Sequence, residues 1–516
     1  MLCVAIVVSC FTGCGKSAIG SKEKNKIDPN AINVQLGVWN SGLGVEWLDK
    51  MIEAFEDKHP EYNIMYKDSG SVETVIASLG MEDVDTTDLY LCFVTYNTEH
   101  LEPLDDILSS KADGESLTIG EKFIPSYLKN AQAADGHYYT LNNGGGVIGF
   151  VYNKKIFNDA GVKQIPRTTD ELTAVCDVLY SKGYTPLCHF TGGGYYNYLD
   201  HAFMAQYDGL EYMVDNFYGC KDEAGHTPSA DVFTKQDGRY EMLKAYEKFL
   251  TPEYTLTGSN TKSHTEVQTE FLYGKAAMML NGSWVENEMK GIGNMDDFDM
   301  MKLPILSSII HKLTTVKGEK LLREVVTAID QVTSGEKQLS DFASGEDYIV
   351  DGKTVSAADW EYIKKARNTV STNYCGDVAY IPKYANADEK EGAKEFLKFM
   401  YSDEGIKIYV ETTNNPLPIK LSTGETIDVS GASQLTQSIH EMVNTAEVLA
   451  DSHLNNRHSI FINGGASYLA GVPFVYRFTS SNPKDRMTSE EVWTLITDTI
   501  NDKYEGTWLK NIERGK

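Results

Sequence analysis

The stretch from Asp135 to Val162, DGHYYTLNNGGGVIGFVYNKKIFNDAGV, decides how the rest of the chain is interpreted. Gly144, Gly146 and Gly149 match the Gly-x-Gly-x-x-Gly spacing of dinucleotide-binding loops, but such a loop must leave a strand and open a helix. Here the glycines lead into VIGFVYN, which has the β-branched and aromatic content of a strand. We therefore interpret the stretch as a glycine-rich crossover between two lobes, followed by a helix that closes at Gly161.

Upstream of this crossover, the chain alternates between strand and helix patterns. Residues 32–39, INVQLGVW, predict a strand, and the next stretch predicts a helix with an apolar face from Trp47 to Phe55. A strand over EYNIMYKDSG, a helix over VETVIASLG and a strand over TDLYLCFVTYN follow. This order predicts a parallel sheet with helical crossovers, in which ligands bind beyond the carboxyl ends of the strands.

Two of these strand ends carry aromatic and polar side chains. Trp39, Asn40 and Ser41 follow the first strand, and Tyr96 and Asn97 end the third strand. Because the carboxyl ends of parallel strands lie at one edge of a sheet, we expect these residues to face a binding cleft. The alternative for Trp39 is that it caps the apolar edge of the sheet.

Composition limits the class of protein. A chain of 516 residues exceeds one hydrophobic core, so two or more domains or lobes are expected. The net charge of −27, from 74 acidic and 47 basic residues, argues against binding to nucleic acid. The cysteines beyond the N-terminal region are five in number and irregularly spaced, which predicts buried thiols and no disulfide framework.

The N-terminus predicts export and attachment of lipid. Residues 1–13 form an uncharged apolar run typical of a secretory signal and too short for a stable membrane anchor. The residues FTGC at 11–14 resemble the lipobox of bacterial lipoproteins, which would place diacylglycerol on Cys14. Phe11 departs from the usual leucine, and no basic residue precedes the run, which would place the natural start upstream. An ordinary secretory signal is the alternative, and residues 14–30 are predicted to be a flexible tether.

Three ordered stretches carry a resemblance to a known family. They are GFVYNKKIFNDAGV at 149–162 with PRTTDEL after it, FLYGKAAMMLNGSW at 271–284, and residues 379–419, which begin AYIPKY and end NNPLPI. Together they resemble the family 1 extracellular solute-binding proteins, the carbohydrate-type receptors of ABC importers, in which the second stretch looks like the return crossover. The resemblance covers most of the chain and agrees with the N-terminal strand–helix unit and the lipobox.

The resemblance implies a two-lobed, periplasmic-binding-protein-like α/β fold of class II, with crossover strands joining the lobes at a hinge. We predict that residues 31–142 and 281–395 form the first lobe, and that residues 143–280 and 396–516 form the second. The stretch from about 305 to 375 departs from shorter members of the family. It is predicted to be an insertion or a lid.

The resemblance also implies a function. The protein would be a monomeric receptor, held outside the cytoplasm by its lipid, that captures a sugar or oligosaccharide between its lobes and delivers it to ABC permease subunits. No cofactor or metal would be needed. Sugars require flat aromatic surfaces and fixed polar partners. The predicted ligand contacts are of these two kinds, and they are Trp39, Asn40, Ser41, Tyr96, Asn97, Asn142, Asn143, Tyr195, Tyr196, Asn281, Ser283, Trp284 and Asn415.

Several of these residues have a purely structural alternative. The NGSW stretch that ends at Trp284 could be a plain hinge turn with the indole in the core. The loop GGGYYNY at 192–198 could expose its tyrosines to solvent. Asn142, Asn143 and Asn415 could be turn formers, a role that suits asparagine.

Enzymatic functions are less favoured by the sequence. It has no His-Glu-x-x-His and no Gly-x-Ser-x-Gly motif, and Cys10 stands where the P-loop that would end in Gly15-Lys16-Ser17 needs its first glycine. The acidic run at 82–88 lacks the glycine and glutamate of a calcium loop. A secreted glycan-active hydrolase stays as the first alternative, because 74 acidic residues leave room for a catalytic carboxylate pair. A surface adhesin is the second alternative.

Overall fold

The computed structural model describes residues 26–40, 42–70, 75, 79, 86–93, 98–454 and 472–510. Some predictions lie outside the described residues and stay predictions. They are the signal peptide, the lipid site at Cys14, most of the helix over VETVIASLG, and the ligand contacts of Ser41, Tyr96 and Asn97. The strands are β1 (Ile32–Val38), β2 (Tyr62–Asp68), β3 (Leu89–Phe93), β4 (Leu141–Asn142), β5 (Val147–Asn153), β6 (Leu187–Cys188), β7 (Met278–Gly282), β8 (Phe298–Met301), β9 (Ala343–Ser344), β10 (Asp347–Val350), β11 (Lys353–Val355), β12 (Thr369–Thr372), β13 (Asp377–Tyr380) and β14 (Val448–Asp451).

The helices cover both halves of the chain. They are Glu46–Lys58, Asp105–Ser109, Ile119–Lys122, Pro125–Ala131, Lys154–Ala160, Thr169–Ser181, Tyr196–Asp208, Asp231–Thr234, Asp237–Phe249, His264–Leu272, Val285–Glu288, Glu319–Thr333, Ala357–Arg367, Ala387–Met400, Asp403–Thr413, Gln434–Asn444, Phe474–Thr479 and Ser489–Lys503. Short 3-10 turns include Ser307–His311.

The first sheet has the strand order β2-β1-β3-β13-β4. Strand β1 runs parallel to both β2 and β3, as the sequence predicts, and β13 runs antiparallel to β3 and β4. Helix Glu46–Lys58 covers this sheet with the predicted apolar face, from Trp47 to Phe55. The burial of that face removes apolar surface from water and fixes the first layer of the lobe.

The second sheet has the strand order β14-β12-β5-β7-β6, with β8 also paired to β5. Strand β5 is antiparallel to β7, β8 and β12. Because VIGFVYN is a strand with partners on both edges, the glycines before it open no helix and form no dinucleotide loop. Asn153 then caps helix Lys154–Ala160, which ends at Gly161 with a φ of +81°, as predicted.

Two short crossovers connect the sheets and lie side by side, and a third, longer connection runs from β13 to β14. Residues 143–146 lead from β4 to β5, and residues 373–376 lead from β12 back to β13. The Gly146 N–H donates to Asn373 Oδ1 at 2.7 Å, and the Asn373 N–H donates to the Gly146 carbonyl at 3.1 Å. Gly145 has a φ of +69°, and a Cβ there would lie 2.8 Å from the Asn373 carbonyl oxygen, so the crossover requires glycine.

The sheets differ from the predicted division in two stretches. The stretch that ends at Trp284 was predicted to be the return crossover, but β7 pairs with β5 over five residue pairs and so remains in the second sheet. The chain returns to the first sheet only at 373–376. Helix Asp403–Thr413, predicted to be in the second lobe, packs against helix Glu46–Lys58 of the first. Strand pairing therefore places β7, β8 and β12 with the second sheet, and strand pairing and helix packing place 377–413 with the first.

The stretch from 305 to 375 is part of the second lobe. Its helices Glu319–Thr333 and Ala357–Arg367, with a small sheet of β9, β10 and β11, pack on the same core as helix Tyr196–Asp208. The carboxylate of Asp359 holds this region together, because it accepts hydrogen bonds from the backbone of Thr314, Thr315 and Val316. Burial opposes its ionisation, but these hydrogen bonds outweigh burial and lower the pKa of Asp359 to about 2.

Candidate functional site

A cavity of about 180 Å³ opens between the ends of the two sheets. Its walls come from the segment after β1, the end of β3, the loop before helix Tyr196–Asp208, the segment after β7, and both crossovers. The lining residues are Trp39, Gly42, Leu43, Phe93, Gly145, Tyr195, Tyr198, Trp284, Glu288, Asn373 and Asp377. The cavity therefore lies where a parallel-sheet lobe presents its carboxyl edge, as expected for a ligand site.

Aromatic rings form opposite walls of the cavity. On the first lobe, Trp39 meets Phe93 edge to face, with 5.7 Å between ring centroids. On the second lobe, Tyr195 meets Trp284 edge to face at 5.6 Å and also meets Tyr198 at 5.6 Å. These edge contacts lock the orientation of each ring and leave faces free to stack on a flat ligand.

Local structure explains why these rings point into the cavity. Trp39 directly follows β1, and its N–H donates to the Leu91 carbonyl of β3 at 2.9 Å, which fixes the strand end. The residue is 39% exposed, and together with Phe93 it lines the cavity. Trp284 follows β7, where Gly282 leaves room for the indole, since a Cβ at that position would lie 2.2 Å from the ring.

Two carboxylates lie among these rings. Asp377, at the start of β13, has a buried Oδ1 that has no hydrogen-bond partner among the described residues. Burial raises the pKa of Asp377 to about 7, and the neighbouring Asp451 carboxylate adds to this effect, while the Gly145 backbone N–H opposes it. Glu288 lies at the mouth of the cavity, where its Oε2 accepts a hydrogen bond from Gln268 at 2.9 Å.

Behind the cavity, a polar network ties the crossovers to the rest of the chain. Ser283 Oγ donates to Asn415 Oδ1 at 2.5 Å and accepts from the Val147 N–H at 3.2 Å. Asn415 Nδ2 donates to the Gly145 carbonyl at 2.5 Å. Asn142 Nδ2 donates to the carbonyls of Gly144 and Tyr374, so it ties one crossover to the other. These side chains hold the hinge in shape.

The predicted ligand contacts lie in different parts of the structure. Trp39, Tyr195 and Trp284 line the cavity, whereas Asn40 is exposed and does not line it. Asn143 lines a smaller pocket next to it, also bordered by Trp39 and Asp377.

The other predicted contacts belong to the hinge or to the core. Asn142, Ser283 and Asn415 are buried in the hinge network. Tyr196 was predicted to face the cleft but is fully buried in the second core, because helix Tyr196–Asp208 turns it away from Tyr195. Asn281 is buried inside β7, where its Oδ1 accepts from the Gly282 N–H.

Sequence reasoning missed part of the cavity wall. The missed residues are Gly42, Leu43, Phe93, Gly145, Tyr198, Glu288, Asn373 and Asp377. Tyr198 lies in the first turn of helix Tyr196–Asp208, within the GGGYYNY stretch already suspected, and Asp377 begins a strand that leads into the third family stretch. Of residues 305–375, all of them described, only Asn373 lines the cavity. The rest of that stretch packs on the second lobe and does not line this cavity, and its description as an insertion or a lid stays a prediction.

Within the described residues, no group of three or more His, Cys, Asp or Glu side chains is arranged to hold a metal ion. Over the same part of the chain, no helix is both long and apolar enough to cross a membrane.

The sequence agrees with a known family over most of its length. Residues 41–407, more than half of the 516-residue chain, match the bacterial extracellular solute-binding protein family. The chain belongs to this family. Membership places the protein outside the cytoplasm and makes it a binding protein and not an enzyme.

Individual relatives agree with this assignment. The maltotriose-binding protein of Pyrococcus abyssi is 27% identical over 205 residues, which is 40% of this chain and 38% of that protein. The matched stretch thus spans about two fifths of the curated relatives. A chitin oligosaccharide binding protein of known structure superposes with a TM-score of 0.55 at 18% identity, over 92% of this chain and 100% of that one. The solute receptor AcbH superposes with a TM-score of 0.59 at 12% identity, over 92% and 99%. The fold is therefore the two-lobed fold of this family.

Proposed function

We propose that this protein is a lipid-anchored receptor that captures a sugar or oligosaccharide between its lobes and delivers it to the permease of an ABC importer. The observation that carries the proposal is the cavity, in which Trp39 and Phe93 from one lobe face Tyr195 and Trp284 from the other. Aromatic rings of this kind stack on the C–H faces of sugar rings. Asn373 and the carboxylates supply partners for hydroxyl groups.

The position of the cavity supports a closing motion. A ligand favours the closed form only if it binds that form more tightly than the open one, so it must contact both lobes. The two crossovers are short, adjacent and hydrogen-bonded to each other through Gly146 and Asn373, which suits a hinge. The names of the similar proteins, which include maltotriose, chitin oligosaccharide and β-D-galactopyranose as ligands, support a sugar as the solute.

The size of the cavity favours a small solute. Its volume of about 180 Å³ lies below the roughly 300–1,000 Å³ of sites for drug-sized ligands. A monosaccharide or a short oligosaccharide is therefore the class to test first.

A binding screen tests the proposal. The full-length protein in mild detergent is heated with single mono- and oligosaccharides, and each sugar that raises the melting temperature is recovered and analysed. A receptor must be stabilised by its ligand, by an amount that grows with the logarithm of ligand concentration once this exceeds Kd, and it must return the sugar intact. Cleavage of the sugar would instead support a hydrolase, and the absence of any shift would remove sugars as the solute class.

Lipid attachment and transport need separate tests. Cells that express the protein are fed a labelled fatty acid, and the label should appear on the wild-type chain and not on Cys14→Ala. Retention of label by that variant would contradict the anchor. For transport, deletion of the gene should abolish uptake of the identified sugar, and a copy with an intact cavity should restore it. The protein is proposed to act as a monomer, which sedimentation in detergent would check.

A further inference from the structure

The charged side chains among the described lining residues of the cavity are all acidic. Among its described lining residues, two carry carboxylates, Asp377 and Glu288, and none is a lysine, arginine or histidine. The chain as a whole carries a net charge of −27, which raises the local concentration of cations near its surface. A neutral sugar does not require such a wall, since amides and hydroxyls hydrogen-bond it equally well.

Asp377 is the central feature of this wall. Its Oδ1 is buried and accepts no hydrogen bond from any described residue. The Asp451 carboxylate acts on Asp377 by charge, and its Oδ2 accepts from Thr372 Oγ1 at 2.9 Å and from the Cys375 N–H at 3.0 Å. A buried carboxylate without a cation is costly, so an arriving positive charge would gain more here than in water.

Several aromatic groups lie near Asp377. The His453 ring meets Phe93 edge to face at 5.2 Å, and its Nδ1 is hydrogen-bonded with Ser452 Oγ at 2.9 Å. The phenols of Tyr198 and Tyr409 have raised pKa values, through burial first and the Asp377 charge among the further causes, so they are neutral near pH 7. Among the described residues, the groups that act on the pKa of Asp377 besides burial are the Asp451 carboxylate and the Gly145 backbone N–H, and neither is a cation.

The aromatic rings strengthen this pattern. A cation over the face of a tryptophan or tyrosine is attracted by the ring, and the attraction grows when water is excluded. Trp39, Tyr195 and Trp284 supply such faces around Asp377. We infer that the solute of this cleft carries a positive charge, and that an amino sugar whose ammonium pairs with Asp377 is the ligand class it takes. This inference rests on the proposed function of the cleft as a sugar site.

Matched ligands separate the charge from the sugar. The first set is glucosamine, glucose and N-acetylglucosamine. These sugars share one ring and differ only in the substituent on one carbon, which is an ammonium, a hydroxyl or an acetamide group. Galactosamine, galactose and N-acetylgalactosamine form a second set, and β-1,4-linked trimers of the glucose set form a third. Affinities are measured by calorimetry on the full-length protein in detergent near pH 6.5, at low and at tenfold higher salt.

The expected result is a preference for the amine in each set that binds. The amine should bind at least tenfold more tightly than its hydroxyl and acetamide counterparts, and tenfold more salt should weaken the amine and leave the neutral sugars unchanged. Asp377→Asn, which keeps the size of the side chain, should remove most of the preference. Glu53→Gln removes an exposed carboxylate from the outer face of helix Glu46–Lys58 and should leave it intact.

Each other outcome overturns the inference. Neutral sugars that bind as well as or better than the amines would overturn it and leave the receptor function standing. A preference that survives Asp377→Asn would show that Asp377 does not pair with the ammonium. If no sugar in the three sets binds, both the sugar function and this inference fail. If circular dichroism shows that Asp377→Asn does not fold, the wild type alone tests the inference. Amine binding that does not depend on salt would then overturn the inference.

Discussion

The hinge and the cavity are built from neighbouring segments but use their polar groups differently. In the hinge, Ser283, Asn415 and Asn373 satisfy each other or the crossover backbone. In the cavity, a few residues along the same chain, Asp377 keeps an unpartnered oxygen among exposed ring faces. These hinge side chains are therefore paired without a ligand, although Asn142 Oδ1 has no partner among the described residues, and in the cavity wall Asp377 Oδ1 likewise has none.

This difference separates structural from functional residues. A buried polar group that is paired contributes to one shape, and its loss leaves a partner unsatisfied. A polar group that is unpaired costs free energy in the folded protein and gains only when a ligand arrives. Changes in the hinge should therefore act on the free energy of unfolding, and changes in the cavity should act on binding.

The largest expected effect is in the hinge. A Cβ at position 146 would lie 2.1 Å from Ser283 Oγ and 3.2 Å from Asn415 Oδ1, so Gly146→Ala must push this network apart. We expect the free energy of unfolding to fall by about 3–5 kcal/mol, from overpacking and from lost hydrogen bonds. Denaturant unfolding measures it. Gly431→Ala, where a Cβ meets nothing, is the matched control and should change stability little. An equally stable Gly146→Ala would show that the hinge is not tightly packed.

The next effect is in the cavity. Trp284→Ala removes a stacking face and should weaken binding of the identified solute by about 2–4 kcal/mol, since large aromatic anchors dominate binding free energy. Calorimetry measures this change. Tyr273, also aromatic but 69% exposed and absent from the cavity lining, provides the control as Tyr273→Ala. Loss of stability with unchanged affinity would reassign Trp284 to the core.

A smaller effect concerns pH. The pKa of Asp377 is raised from 3.8 to about 7 in the folded protein, so its ionised form opposes folding. The wild type should therefore lose stability as pH rises from 5 to 8, and Asp377→Asn should lose about 1–2 kcal/mol less over this window. Unfolding at pH 5 and at pH 8 checks this. Comparison with the variant cancels the contributions of Asp200 and Asp208, whose raised pKa values are also mainly caused by burial. Equal pH slopes would contradict the raised pKa.

Asp359 should show the opposite sign and a different window. Its pKa of about 2 lies below the ordinary 3.8, so its hydrogen bonds stabilise the stretch from 305 to 375 above pH 4 and are lost as pH falls towards 2. Asp359 is therefore ionised at both pH 5 and pH 8, and it does not contribute to the change in the free energy of unfolding between these two values.

The smallest expected effect comes from one hydroxyl. Tyr198→Phe keeps the ring against Tyr195 and removes only the phenol oxygen from the cavity. We expect a loss of binding free energy of about 0.5–1.5 kcal/mol, the usual net value of one hydrogen bond. Calorimetry with the same solute measures it, and an unchanged affinity would mean that the hydroxyl does not contact the solute.

The sequence predicted those features that depend on local pattern. The parallel start of the first sheet, the strand VIGFVYN and the helix ending at Gly161 all follow from residues close in the chain. The predicted position of the return crossover was wrong. The sequence of β7 predicts a strand but does not say which sheet the strand joins, and only its pairing with β5 assigns it to the second sheet. Aromatic residues at strand ends identified Trp39 and Trp284, because topology directs them into the cleft.

Asp377 could not be found in the same way. Its role depends on the meeting of two crossovers more than 200 residues apart in the chain, which no local pattern records. Tyr196 illustrates the reverse error. It lies next to Tyr195, but the first turn of helix Tyr196–Asp208 sends the two rings to opposite sides, one into the cavity and one into the core.

The position of β13 has a consequence for how the chain is made. This strand lies between β3 and β4, although it follows them by more than 230 residues. Until residue 380 has been synthesised, β3 and β4 lack the strand that joins them, and their open edges can pair with other chains. The first lobe therefore begins the chain but finishes folding after most of the second has emerged. Chaperones that hold the nascent polypeptide extended during export would protect it throughout this interval.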